Sequence, residues 1–363
     1  MAAAAAGEVI GEALGGVGMN PELVLVFAAG THGDFVGELA STVNQVLRPR
    51  TTVTMVVAGL HSNGVDLAGD PGLLLWATTA GPVVAHVLDE AGLGSDGRPP
   101  DFGASPSAIL FLANVAQWPS PDHLGRWSQD FPMTFITGVS PTEHPGEVLV
   151  GGRPIAAGGV ALVFNANAPV FGLCVSRTRA VGPVMTATEV RGRAIVELDD
   201  IRALRRFEQV VTDLAETDRR DLRRSVLAGI NAPDGGEFFA SQVLGTDRRV
   251  GSLVLEHEIA VGTIVQLRVM SDDAAATSLL DAFYGQSEHP VVGALTFADG
   301  LPSRRDGFDS AALAETLDEW RDALGSGVYS GRVIGSLGGH PRIHHHMLSA
   351  LIVRAPGKTQ SKT

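Results

Sequence analysis

The chain has 363 residues, is 45% hydrophobic, and carries 27 lysines and arginines against 40 aspartates and glutamates, a formal net charge of −13. A protein this acidic, with a pI near 5.2, lacks the cationic footprint that nucleic-acid phosphates or anionic bilayers demand, so neither is expected as a partner. Its mean hydropathy of +0.17 excludes a disordered chain, and its length exceeds what one core fills, so two domains are expected.

The only cysteine, Cys174, excludes an internal disulfide framework and a thiolate-rich metal site. It lies in the apolar run Phe171–Val175 and reads as a small buried hydrophobe. Met1–Ala6 lacks the basic start of a secretory leader. No apolar run nears the ~20 residues that span a bilayer. A soluble, cytoplasmic protein with flexible ends over 1–19 and 356–363 is therefore expected.

In chain order, Val24–Ala29 reads as a strand, followed by a helix with Phe35, Leu39, Val43, Val46 and Leu47 on one face. Val53–Ala58 is a second short strand and Leu73–Thr78 a third. Gly81-Pro82 then predicts a helix carrying Val83, Val84, Val87 and Leu88. Ile109–Asn114, a helix opened by Ser120-Pro121, and Phe135–Gly138 repeat the first scheme. Val160–Phe164 and Phe171–Val175 flank Asn165–Pro169 and predict an antiparallel hairpin. A helix follows Asp199-Asp200 with Ile201, Leu204, Phe207, Val210, Val211 and Leu214 inward, and the domain boundary is placed at its start, separating 20–198 from 199–355. Thr217–Ala228 predicts a second, arginine-rich helix, read as a solvated face. Gly251–Glu256 and Thr263–Met270 predict another hairpin, and Asp272–Phe283 a helix. Gly293–Gly300, a helix with Leu313, Leu317, Trp320 and Leu324, and Val333–Ser336 give the scheme a third time, before a last strand over Ile343–Val353. The fold class expected is α/β: two domains of layered mixed sheets flanked by helices, with repeated strand-loop-helix-strand units. Such folds bind small ligands in loops at strand ends.

Two blocks resemble the FIST family. One runs from Val175 through Arg179, Gly182-Pro183, Thr186 and Glu197-Leu198-Asp199; the other from Gly262 through Gly293–Ala298 to Gly335–Gly339 and His344-His345-His346. The resemblance spans about residues 20–353 and implies an N-terminal FIST domain over 20–198 and a C-terminal one over 199–355. It also implies a bacterial sensory module in signal transduction that binds a small molecule, with an amino acid or another small carboxylate the ligand class. Some members bind haem and sense nitric oxide. No output domain accompanies these blocks, so a separate signalling protein is the expected partner. The loop Ala298-Asp299-Gly300-Leu301-Pro302 departs from the family's Cys-Gly-Arg-like loop. Ser336 replaces its late acidic residue.

Candidate ligand-binding residues follow from position. His32, His61, Asn114, Ser140 and Asp299 each follow or end an expected strand, where polar side chains gather at a strand mouth. Ser336 is added from the departure just described. Arg179 beside Gly182-Pro183 could grip a carboxylate by paired hydrogen bonds, with hydroxyls from Thr186 and Thr188. His344 and His346 would share a face if both lay on one strand and could then hold a metal, completed by His340 or a carboxylate. A haem would need one imidazole facing a broad apolar cavity, and no residue singles itself out. Glu256-His257-Glu258 reads as solvated surface.

Catalytic residues are not expected. No Gly-x-Ser-x-Gly occurs, and in the near match Gly138-Val139-Ser140-Pro141-Thr142 the proline has no N–H to offer an oxyanion. Gly357-Lys358-Thr359 imitates a phosphate loop without its first glycine. A metal-assisted hydrolase using His344 and His346 is the remaining enzymatic reading.

Overall fold

The computed structural model describes residues 2–62, 65–67, 70–103, 105–116, 118–141, 147–156, 158–224, 226–231, 238–271, 274, 277–278, 291–299, 326–330, 332–337, 340–344 and 346–355. The fold is mixed α/β with several sheets. Two compact units divide it: Met1–Val175 with Leu279–Ile343 and Leu348–Thr363, and Ser176–Ser278 with His344–Met347. The division is not sequential, and Asp199 lies inside the second unit.

The larger unit begins with α1 (Ala2–Gly16), where a flexible end was expected. Alanines have the highest helix propensity, and Ala6 and Ile10 are buried against the first sheet. β1 (Leu23–Ala29) leads through a 3₁₀ turn (Gly30–Phe35) to α2 (Val36–Val46) and β2 (Thr51–Val57). β3 (Gly59–Ser62), β4 (Val65–Asp66), β5 (Gly72–Thr78) and β6 (Val83–Leu88) follow. β6 replaces the helix expected after Gly81-Pro82. Its valines are β-branched, and β6 pairs in register with a distant strand, so tertiary pairing overrides the helix-start signal. β7 (Ala108–Ala113), α3 (Pro121–Asp130) and β8 (Phe135–Ser140) come next. The Ser120 hydroxyl caps α3 by accepting from the His123 N–H at 3.3 Å. β9 (Val148–Val150), β10 (Arg153–Pro154), β11 (Gly159–Phe164) and β12 (Val170–Ser176) complete this stretch.

The second unit holds β13 (Thr178–Arg191), β14 (Ala194–Leu198), β15 (Ile201–Arg202), α4 (Ala203–Asp213), α5 (Glu216–Arg224), β16 (Leu227–Asn231), β17 (Phe238–Asp247), β18 (Ser252–Leu255) and β19 (Ile264–Met270). The chain then returns to the larger unit with β20 (Val291–Asp299), β21 (Ser326–Ser330), β22 (Arg332–Leu337), β23 (His340–His344) and β24 (Met347–Arg354). Of the helix expected over 272–283 only Ala274, Thr277 and Ser278 are described, and they are helical; the helix expected around 313–324 lies outside the described residues.

The larger unit has three sheets, ordered β10-β9-β2-β1-β5, β23-β22-β8-β7-β11-β6 and β12-β24-β20-β21-β3-β4. Each holds one parallel pair: β1 with β2, β7 with β8 and β20 with β21. β22, expected as the partner of the third first-strand, lies instead antiparallel to β8. β11 and β12, expected as a hairpin, belong to different sheets. Alternate residues of all three sheets, among them Leu25, Phe27, Met55, Leu110, Leu112, Val139, Leu295, Phe297 and Val328, meet in one buried cluster. The opposite face of β1 packs Val24 and Val26 against Val43 and Leu47 of the α2 region. The opposite face of β7 packs Ile109 and Phe111 against Leu124 and Trp127 of α3. These strands are apolar throughout because both faces are covered.

In the second unit the antiparallel order is β13-β19-β16-β17-β18-β14-β15, and β13 also pairs with β14. The ladder therefore closes on its own first strand. β18 and β19, expected as a hairpin, are separated in this ring by β16 and β17. β13 carries a register shift between Ala180 and Val184, so Gly182-Pro183 forms a bulge inside a strand.

Candidate functional site

Three buried polar residues stand at the carboxyl ends of parallel strands in the larger unit. Asn114 directly follows β7, Ser140 ends β8 and Asp299 ends β20. They are 7%, 0% and 8% exposed, burial that costs free energy without polar partners. Leu112 faces Val139 across β7 and β8, so Asn114 and Ser140 stand at the same strand end. Ser140 pairs with Arg332 of β22, and Arg332 lies two residues after Ser330, the partner of Asp299. Register alone thus brings Asn114, Ser140, Asp299 and Arg332 to adjoining strand ends: an amide, a hydroxyl, a carboxylate and a guanidinium.

Parity separates them into two sets. Leu110 and Leu112, like Leu295 and Phe297, point into the shared core, and Asn114 and Asp299 continue those series. The backbone N–H of Asn114 donates to Gly158 O at 2.8 Å and its Nδ2 to Ile155 O at 3.3 Å. These bonds hold the amide in place and leave its carbonyl oxygen as an acceptor. His32, half-buried in the 3₁₀ turn, occupies the corresponding end of β1.

His61 is not at a strand end of this kind. It is 2% exposed and pairs with Gly327, near the start of β21. Its Nε2 lies 3.0 Å from Thr296 Oγ1. That hydroxyl donates to Ser326 O at 3.1 Å, so Nε2 carries the proton and donates. The ring is 5.2 Å from that of Tyr329. Burial pulls the His61 pKa down to about 4, and the imidazole stays neutral as a structural hydrogen-bond donor. Ser336 is likewise structural. Its Oγ accepts from Ile136 N at 3.2 Å and donates to Ile136 O at 3.4 Å, toward the opposite end of β8 from Ser140.

Arg179, Gly182, Pro183 and Thr186 lie on β13 in the second unit. Arg179 Nη1 is 2.7 Å from Asp218 and Nη2 is 2.8 Å from Asp221, both on α5. Burial alone would lower its pKa, but the two carboxylates outweigh this and raise it. Both arms of the fork are spent on the protein's own acids, so the carboxylate grip expected there has no free hand. Gly182 holds φ +73° and a Cβ there would stand 2.6 Å from Val210 Cγ1, so the glycine is needed where α4 crosses the bulge. Its carbonyl accepts from Gln266 Nε2 at 3.0 Å. The Thr186 N–H donates to Asp199 Oδ1 at 2.8 Å and the Asp200 N–H to Thr188 Oγ1 at 3.0 Å.

His344 ends β23 and is 4% exposed, whereas His346 takes φ +59° in the turn before β24. The two do not share a strand, so the alternation that would align them does not apply. Among the described residues no three His, Cys, Asp or Glu side chains group as a metal site. His257, expected as solvated surface, is half-buried with Nδ1 3.0 Å from Ser241 Oγ. Sequence reasoning missed this pair because its members are 16 residues apart, Ser241 on β17 and His257 in the bend after β18. It missed Arg332 by starting the strand one residue late.

No helix among the described residues is long and apolar enough to cross a membrane. Two curated mycobacterial relatives, the uncharacterized protein Mb0898c of Mycobacterium bovis and the uncharacterized protein MT0897 of Mycobacterium tuberculosis, are each 22% identical over 343 residues, covering 90% of this chain and 89% of theirs. Residues 22–201 match the FIST N domain, a family associated with sensing in signal transduction, and across that span the chain belongs to the FIST family.

Proposed function

We propose that the protein is a non-catalytic sensory module of the FIST type, which binds a small carboxylate such as an amino acid and passes the signal to a separate protein in a bacterial cytoplasm. Residues 199–355 would supply the C-terminal FIST half. The observation that carries this reading is that Asn114 and Asp299 on the core-facing side, and Ser140 and Arg332 on the other, stand at adjoining strand ends. A guanidinium suits a carboxylate, and a carboxylate with an amide acceptor suits an ammonium. Strand carboxyl ends are where layered α/β folds hold ligands. Arg179 is not part of this site.

A thermal-shift screen over amino acids and small carboxylates tests the proposal. A ligand at 100 times its Kd should add about 2.7 kcal/mol of stability, and Arg332→Gln should abolish the gain for carboxylates while the protein remains folded. A full screen without any shift, or a shift that Arg332→Gln and Asn114→Ala both leave intact, would reject it. A Soret band in the purified protein would replace it with the haem reading.

A further inference from the structure

α1 covers the outer side of the first sheet with a narrow stripe of side chains. Ile10 joins Val24 and Val26 of β1 and Val43 and Leu47 of the α2 region in one buried cluster. Ala6 joins Ala28 and Leu39 in another. Ala13 and Leu14 continue the stripe at helical spacing but are only half-buried. Beneath them β1 has all seven residues buried and is paired along its whole length on both sides. The strand ladder of this sheet therefore stands without help from α1.

The rest of the helix works against its own stability. Gly7, Gly11 and Gly15 recur every fourth residue on the exposed side. A Cβ at any of them would meet no atom within 4 Å, and none holds a left-handed φ. Neither close packing nor backbone geometry requires glycine there, and each glycine weakens a helix relative to alanine. Glu8 and Glu12 are both exposed, and like charges four residues apart on a helix repel. The first turn holds no acid and the last no base to complement the helix dipole.

We infer that α1 is a strap that lifts from the first sheet while the sheet stays paired, alternately covering and baring the outer side of β1 and β5. The apolar stripe holds the strap down, and the glycines and paired acids set that hold close to balance. Lifting uncovers Ala28, which is 0% exposed when the strap is down. It also uncovers Leu73, Leu75 and Ala77, which pack partly buried around the same two clusters from β5. A segment with few buried apolar contacts opens at lower free energy than the strands it covers. The larger unit thus changes its surface without unpairing a strand. This inference rests on the packing of α1 and is independent of the ligand reading, which the thermal-shift screen tests separately.

Hydrogen exchange on the full chain tests it. The amides of residues 6–16 should exchange together, about 100-fold or more faster than those of β1 yet slower than in an unstructured chain. Low urea should change their rate little and raise that of β1 steeply, because lifting α1 exposes far less surface than unfolding. Gly7→Ala combined with Gly11→Ala should slow the α1 amides by about tenfold or more, each replacement being worth about fivefold. In a Cys174→Ser chain, the thiol of Ala28→Cys should react with iodoacetamide at a rate reduced only as far as α1 exchange is reduced. Amides of α1 as slow as those of β1, or with no protection at all, overturn the inference. So does exchange that the two alanines leave unchanged. A thiol at position 28 protected as strongly as the β1 amides overturns it too, because α1 would then fray in place without lifting.

Discussion

The two units solve the problem of strand pairing in opposite ways. The smaller closes a ladder from strands that all lie between Thr178 and Met270. The larger joins Leu60 to Val328 and Gly138 to Ile334, partners some two hundred residues apart or more. The chemistry divides similarly. In the smaller unit the charged side chains satisfy one another near the surface, as Arg179 does with Asp218 and Asp221 and Arg206 with Asp199 at 3.1 Å. In the larger, Asn114, Ser140 and Asp299 are buried where strands end. Buried polar groups at strand carboxyl ends stand where layered α/β folds hold ligands, and the proposed site is placed there.

The sharpest way to break the comparison is at the exchanged strands. Gly138 takes φ +144°, and a Cβ there would overlap the Phe111 carbonyl oxygen. Gly138→Ala should cost about 4 kcal/mol or more, or prevent folding of the larger unit, as read by urea denaturation. A variant within 1 kcal/mol of the parent would show that these pairings are not tightly packed.

Next in size is a pH effect confined to the larger unit. His61 is neutral when folded, with its pKa lowered from 6.5 to about 4. The unfolded chain takes up the proton first, so stability is fully present above pH 6.5 and is lost as pH falls toward 4. The loss should approach about 3 kcal/mol across that window, and His61→Gln should flatten it in denaturation curves measured at both ends.

In the smaller unit, Gly182→Ala should cost about 1–3 kcal/mol, because it strains a positive φ and crowds Val210. Circular dichroism melts would register it. The smallest effect expected is Asp221→Asn. Arg179 and Asp221 side chains are 35% and 33% exposed, and such pairs contribute about 1 kcal/mol or less. That loss should shrink further in high salt; a large, salt-insensitive loss would mean the pair is effectively buried and would erase the contrast between the units.

Some of this was legible from residues alone. The apolar blocks Val24–Ala29, Ile109–Ala113 and Gly293–Asp299 are strands, because uninterrupted runs of that length suit double-sided burial. Asn114, Ser140 and Asp299 were marked by standing at the ends of those runs. β6 was read as a helix because Gly-Pro followed by spaced valines fits both a first helical turn and a strand start, and only its pairing with β11 decides. Arg332, Ser241 and His257 carried no local signal, since each gains its neighbour through another strand.

Hydrophobic period, composition and the FIST blocks therefore determined that this chain folds as a mixed α/β protein with polar residues at strand ends. These are properties of segments, written in consecutive residues. Which strand lies beside which, that β2, β8 and β21 pass their continuations to one another, and that Arg179 faces its own acids were decided only in the tertiary structure. Pairing energy depends on register between distant segments, and a single strand presents the same edge to any partner that fits.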